Sequence, residues 1–191
     1  MFRRNFLFLA LATSLSPFAW AQSSSSRSIK IIVPFAPGGG NDVIARQLAK
    51  ELSELRKQTV LVENKPGAGG NIGTEYVVRA PADEITLLLG HTGTVSINPV
   101  LLNTGMDATR DLEPIALLAS TSLVLVVAQD SKIKSIQNLI ELSSQRSAPF
   151  NYGSSGNGTG GHLTGEMFKE ITGVKMSHIP YRGTGPALVD V

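Results

Sequence analysis

The 191-residue chain has no cysteine. Disulfides, thiolate metal ligands and a lipid-modified N-terminal cysteine are therefore excluded, and stability must come from core burial. Histidine is scarce. His91, His162 and His178 show neither His-x-x-x-His spacing nor cysteine companions, so no metal site is expected. Gly-x-Ser-x-Gly is missing, which removes the local signature of an α/β-hydrolase nucleophile. No paired carboxylates stand in the glycine-rich turns; Asp42 is alone there. Aromatic residues make up 6%, and the only tryptophan is Trp20. No Lys/Arg cluster interleaves with aromatics, so nucleic acid is not an expected partner.

Charge of one sign is lacking too, once the N-terminus is read. Arg3 and Arg4 precede a ten-residue apolar stretch, residues 6–15, broken by Pro17 and closed by Ala19-Trp20-Ala21. That order predicts a cleavable secretory signal over residues 1–21. The stretch is too short to span a bilayer. Of 17 Lys+Arg, Arg3 and Arg4 lie in this segment with no acid, so the rest balance the 15 Asp+Glu. The expected location is outside the cytoplasmic membrane, most simply a periplasm. Residues 22–28, with a run of serines, read as a flexible lead-in.

What is abundant is glycine, 19 residues, placed after apolar runs. Lys30-Ile31-Ile32-Val33-Pro34-Phe35 reads as a buried strand. Gly38-Gly39-Gly40 follows, and Asn41 or Asp42 is a suitable N-cap for a helix. Ile44, Ala45, Leu48, Leu52 and Leu55 fall on one face of that helix. A helix N-terminus opening from a glycine turn offers free N–H groups to an anion. Asp42 has two open roles, capping the helix or touching ligand.

The pattern repeats. A strand over residues 59–62 enters a second glycine-dense turn, then a short helix over 72–79. A third strand over 85–89 leads to Gly90-His91-Thr92-Gly93-Thr94. Strands alternating with helices predict a parallel sheet with its turns at one edge, where ligands bind such sheets. Any one of these is also explained as a tight turn. Residues 103–112 read as a connection, 115–118 and 122–127 as apolar strands, and Ser135 as the cap of a helix bearing Ile136, Leu139 and Ile140. Phe150-Asn151-Tyr152 then precedes Gly153-Ser154-Ser155-Gly156-Asn157-Gly158-Thr159-Gly160-Gly161, with Leu163, Met167 and Ile171 spaced four apart. A last strand, 174–179, leads to Tyr181-Arg182-Gly183. The Gly156-x-Gly158-x-x-Gly161 spacing matches a dinucleotide fingerprint. The acidic residue expected about twenty positions on is missing, since Ile179 to Gly183 holds none, so no nucleotide cofactor is expected. The loop's N–H groups and hydroxyls suit a carboxylate. His162, at a helix start, either touches ligand or caps and packs; His178 reads as structural.

In order, these motifs resemble those of the tripartite tricarboxylate transporter substrate-binding proteins, the Bug family. The resemblance runs through Val33-Pro34-Phe35-Ala36-Pro37-Gly38-Gly39-Gly40-Asn41-Asp42, Glu63-Asn64-Lys65-Pro66-Gly67-Ala68-Gly69-Gly70-Asn71, Gly90 through Thr94 with Asn98-Pro99, Asn151 through Thr159 with His162-Leu163, and His178-Ile179-Pro180-Tyr181-Arg182-Gly183. It implies a periplasmic-binding-protein-like α/β fold: two domains with mainly parallel sheets, flanking a ligand cleft. Residues 29–104 would form the first and 105–191 an incomplete second. It implies a receptor without catalysis or cofactor, monomeric if complete, that closes on a small organic carboxylate and delivers it to membrane permease subunits. By position, Gly38, Gly39, Gly40, Asn41, Asp42, Gly93 and Thr94 would line the cleft from one side. Ser154, Ser155, Gly156, Thr159, His162, Tyr181 and Gly183 would line it from the other.

The chain departs from the family pattern at Asp83-Glu84-Ile85, where Asp-Gly-Tyr is usual, so a reshaped loop is expected before the third strand. Family members also continue beyond the equivalent of Val191. A chain ending there is expected to leave core and strand edges exposed, and to be unstable or aggregation-prone alone. Two alternatives stand beside the receptor: an enzyme that binds an anionic substrate at the glycine loops, and a nonfunctional truncated homologue.

Overall fold

A computed structural model describes residues 28–102 and 105–191. The expected signal segment, residues 1–21, and all but the last residue of the lead-in lie outside them. Ile29–Val33 forms β1, Gly40–Arg56 α1, Val60–Asn64 β2, Asn71–Val78 α2 and Ile85–Leu88 β3. A π-helical turn, Gly93–Ile97, runs into α3, Asn98–Leu101, and α4 is Ala108–Asp111. The second unit holds α5 (Ile136–Ser144), β4 (Phe150–Ser154), α6 (Gly160–Thr172), β5 (Met176–Pro180) and α7 (Thr184–Val189).

The first sheet has order β2-β1-β3, all parallel, with Ile31 opposite Val62 and Leu87. β1 is central, which explains its continuous apolar run. Ile31, Ile32 and Val33 are fully buried, as expected of a strand covered on both faces. Ala45 and Ala49 of α1 let the helix approach the sheet, and Ile44, Leu48 and Leu52 close over it. Leu55 departs from the expected stripe. It lies in the last turn beyond the sheet and is exposed. Glu84, at the departure from the family pattern, accepts from Lys30 Nζ at 2.8 Å, and its N–H closes a turn onto the Pro81 carbonyl. The loop before β3 is thus tied to β1 by an ion pair.

The second sheet pairs β4 and β5 in parallel, with Tyr152 opposite His178. Its core gathers Leu139, Val174 and Met176, with Phe150, Tyr152 and Phe168 packed around them. The Ser135 cap is present, accepting the Asn138 N–H at 3.1 Å. Two expectations fail here. Residues 115–118 and 122–127 form no strand, and most of their apolar side chains are exposed. An apolar run becomes a strand only with a ladder partner, and none of the described residues provides one. On α6, Met167 and Ile171 are exposed, while Phe168 carries the packing. The two-stranded sheet is too narrow to cover the whole helical stripe.

The two units touch through their turns. The Ala36 N–H donates to the Arg182 carbonyl at 2.8 Å. Among the described residues no helix is long and apolar enough to cross a membrane.

Candidate carboxylate site

The β1–α1 turn meets the second unit around a cavity of about 50 Å³. Phe35, Ala36, Gly39, Gly40, Asn41 and Asp42 line it from that turn, His91 from the turn after β3, Ser155 from the β4–α6 loop and Thr184 from the start of α7. A water needs about 10–15 Å³ on this measure, so the space suits roughly three or four water-sized groups. That is the size of a carboxylate rather than of a whole di- or tricarboxylic acid.

Helix α1 begins two to three residues earlier than expected, at Gly40. Gly39 is its N-cap with extended backbone, and no side chain caps the helix. Neither Asn41 nor Asp42 is the N-cap. Asp42 instead sits in the first turn and reaches back, its Oδ2 accepting the Gly38 N–H at 3.1 Å. The same carboxylate takes Arg46 through two bonds of 3.0 Å and the Asn64 amide at 2.9 Å. Asn64 Nδ2 also donates to the Phe35 carbonyl, pinning the end of β1. The Arg46 guanidinium, with the Asn64 and Gly38 donors, holds the Asp42 carboxyl below its ordinary range despite burial. Its charge is thereby neutralised within the first unit.

Across the cavity, α7 starts at Thr184 after Gly183. A Cβ on Gly39 would lie 3.6 Å from the Gly185 nitrogen and 3.7 Å from that of Thr184. The N-termini of α1 and α7 therefore lie beside each other. Each helix start carries partial positive charge, so two of them side by side favour an anion.

Five of the expected residues, Gly39, Gly40, Asn41, Asp42 and Ser155, line this cavity. The others stand behind it. Gly38 donates to Asp42. Gly93 and Thr94 are buried and hold the turn of His91: the Gly93 N–H donates to His91 Nδ1 at 2.9 Å, and Thr94 Oγ1 donates to the His91 carbonyl at 3.0 Å. Ser154, 6% exposed, accepts the Gly156 N–H and shares a 2.7 Å hydrogen bond with His178 Nε2. Thr159 is fully buried and donates to the Gly156 carbonyl at 2.7 Å. His162 Nδ1 accepts the Gly158 N–H, and its ring stacks on His178 at 4.1 Å. The Tyr181 N–H donates to the Ser154 carbonyl, and Gly183 packs on Ala36. The Ser154–His178 contact is a brace for the loop, not an exposed nucleophile. Sequence reasoning missed Phe35, Ala36, His91 and Thr184 as wall residues. His91 stands in the third glycine turn, where the resemblance points only to Gly93 and Thr94 after it.

A second contact between the units lies deeper. Asn98 is fully buried; its Nδ2 donates to the Gly69 carbonyl at 3.3 Å and to Asn71 Oδ1 at 3.0 Å. Gly158 of the opposite loop presses on its Oδ1.

The family model for the tripartite tricarboxylate transporter family receptor matches residues 44–191. BugT of Bordetella pertussis is 36% identical over 190 residues, 97% of this chain and 57% of BugT. A solved R. palustris structure with adipate superposes with a TM-score of 0.81 at 35% identity, covering 90% of this chain and 56% of that one. The periplasmic binding protein BugD superposes at 0.70 with 36% identity, covering 86% and 55%. The chain belongs to the tripartite tricarboxylate transporter receptor family, whose members are receptors. It spans a little over half the length of the curated relatives it matches.

Proposed function

We propose that this chain is the carboxylate-gripping part of a periplasmic solute receptor. It captures a small organic carboxylate between its two units and passes it to the membrane permease subunits of a tripartite transporter. The observation that carries the reading is the meeting of two helix N-termini, α1 and α7, at one carboxylate-sized cavity. The carboxylate already there, Asp42, is spent on Arg46 and Asn64, so the positive ends remain for a ligand. A charge at such an end gains about 0.3–1 kcal/mol, rising to about 2 when partly buried. Each hydrogen bond to a charged group adds about 1.5–3 kcal/mol. A few such donors reach micromolar affinity, about 8 kcal/mol. The relative solved with adipate binds a dicarboxylate of the class proposed here. Export by the segment at residues 1–21 fits the periplasmic description of BugD.

Titration calorimetry with adipate, succinate and citrate tests this. Stoichiometric binding of at least one acid, recovered chemically unchanged by NMR, is the expected result. Consumption of the acid would establish the enzyme reading instead, and binding of none would reject the receptor.

A further inference from the structure

We propose that His91 is a specificity-determining residue of the carboxylate site, its Nε2–H donating a hydrogen bond to one oxygen of the bound solute. The proposal rests on the receptor reading above and deepens it. Three observations carry it. The Gly93 N–H donates to Nδ1 at 2.9 Å, so Nδ1 is an acceptor and carries no proton. A neutral imidazole in that state must hold its proton on Nε2. That nitrogen has no hydrogen-bond partner among the described residues, while His91 lines the same cavity as Gly39, Asn41, Ser155 and Thr184.

The ring is also held in place. It packs edge-on against the buried Phe35, centroids 5.2 Å apart at 74°. Its backbone carbonyl accepts from the Thr94 and Val95 N–H groups and from Thr94 Oγ1, which closes the turn beneath it. A donor fixed this firmly loses little freedom on binding. Burial also holds the imidazole below its ordinary value of 6.5, which favours the neutral form. The site then offers a directional donor without a full positive charge. Such a group donates to a carboxylate or carbonyl oxygen and has nothing to offer a ligand ammonium. The helix ends supply attraction for negative charge, and His91 supplies the direction.

Two substitutions separate the ring's two nitrogens. In His91→Asn the amide oxygen takes the place of Nδ1, keeps the Gly93 bond and removes the Nε2–H. In His91→Gln the amide nitrogen takes the place of Nε2 and restores a donor. Calorimetry uses the full chain with adipate, succinate and citrate. For whichever acid the wild type binds, His91→Asn is expected to weaken affinity about ten-fold or more, as for loss of a hydrogen bond to a charged group. His91→Gln should recover most of it. A retained Gly93 amide resonance shows that the turn survives in His91→Asn. Nitrogen NMR of the wild-type ring should show an unprotonated Nδ1 and a protonated Nε2, whose proton moves downfield when the acid is added. Binding by His91→Asn within two-fold of wild type, or a ring protonated on Nδ1, overturns the proposal and leaves the receptor intact. A wild type that binds none of the acids rejects the receptor, and this proposal with it.

Discussion

A Cβ built on Gly158 would stand 1.8 Å from Oδ1 of Asn98, so the two units interlock at a position only glycine can occupy. Gly158 also has φ of +72°, a region that L side chains rarely adopt. Asn98 Oδ1 is buried there without a hydrogen-bond partner among the described residues. Its amide nitrogen, meanwhile, binds the Gly69 carbonyl and Asn71. Gly158→Ala should part the loops and weaken carboxylate binding at least ten-fold. Affinity within two-fold of wild type would show that the loops adapt.

The orientation of the Asn98 amide makes a separate prediction. In Asn98→Asp an oxygen replaces Nδ2 and faces two acceptors, the Gly69 carbonyl and Asn71 Oδ1. Each buried group left unpaired costs about 1–3 kcal/mol. Hydrogen exchange at residues 68–71 and 156–159 should accelerate more in Asn98→Asp than in Asn98→Ala at pH 7. The reverse order would mean that the amide sits the other way round.

Asp42 links the entry of α1 to pH. Its folded carboxyl lies below the ordinary value of 3.8, chiefly because Arg46 bonds to it. An acid lowered in the folded state binds fewer protons there than when unfolded. Its stabilisation is therefore complete above 3.8 and is lost as pH falls through the lower folded value. Asp42→Asn should destabilise the first unit by about 1–3 kcal/mol near neutrality. It should also flatten the acid side of the stability curve. Urea titrations at pH 3 and pH 6 measure both effects.

His178, stacked on His162, acts in the same direction at milder pH. Burial, and then His162, hold His178 below its ordinary value of 6.5; Glu166 opposes this and Lys169 reinforces it. Tyr152, hydrogen-bonded to Glu166, also packs against the His178 ring. A histidine lowered in the folded state contributes fully above 6.5 and loses that contribution as pH falls through its folded value. Exchange protection of residues 156–159, corrected for intrinsic rates, should drop between pH 7.5 and pH 5. In His178→Asn the difference should shrink. Equal protection at both pH values in wild type would refute this.

The apolar segment after α4 predicts self-association. Ile115, Leu117 and Val124 are 78%, 88% and 79% exposed, and neighbours to Val127 are exposed with them. A contiguous apolar patch without a ladder partner binds hydrophobic dyes and other copies. Leu117→Lys with Val124→Lys should lower dye fluorescence and shift elution toward monomer at fixed concentration. Unchanged elution would place the sticky surface elsewhere.

The strand–helix alternation from β1 to β3 and from β4 to β5, and the position of the glycine turns, were legible in the chain. An apolar run ending in Pro34 and Gly38 has few readings other than a central strand and its turn. Ser135 as a helix cap is equally local, because an N-cap bond spans only three residues. What local pattern misjudged depended on neighbours distant in sequence. Residues 115–118 and 122–127 have strand chemistry but no ladder partner among the described residues. Leu55 keeps helical phase but extends past the sheet that would bury it.

Sequence alone therefore determined the parallel α/β character and the glycine turns that open onto helices, since these follow from short-range sterics and hydrogen-bond geometry, and the order of the motifs carried the resemblance to the family. Only the tertiary structure decided which groups remain free for a ligand. It brought α7 against α1 from more than a hundred residues away. It committed Asp42 to Arg46 and Asn64, and it placed His91 at the wall with one nitrogen bonded and the other without a partner among the described residues. Such assignments depend on which donors and acceptors are consumed inside the fold, and that balance exists only once the chain has closed on itself.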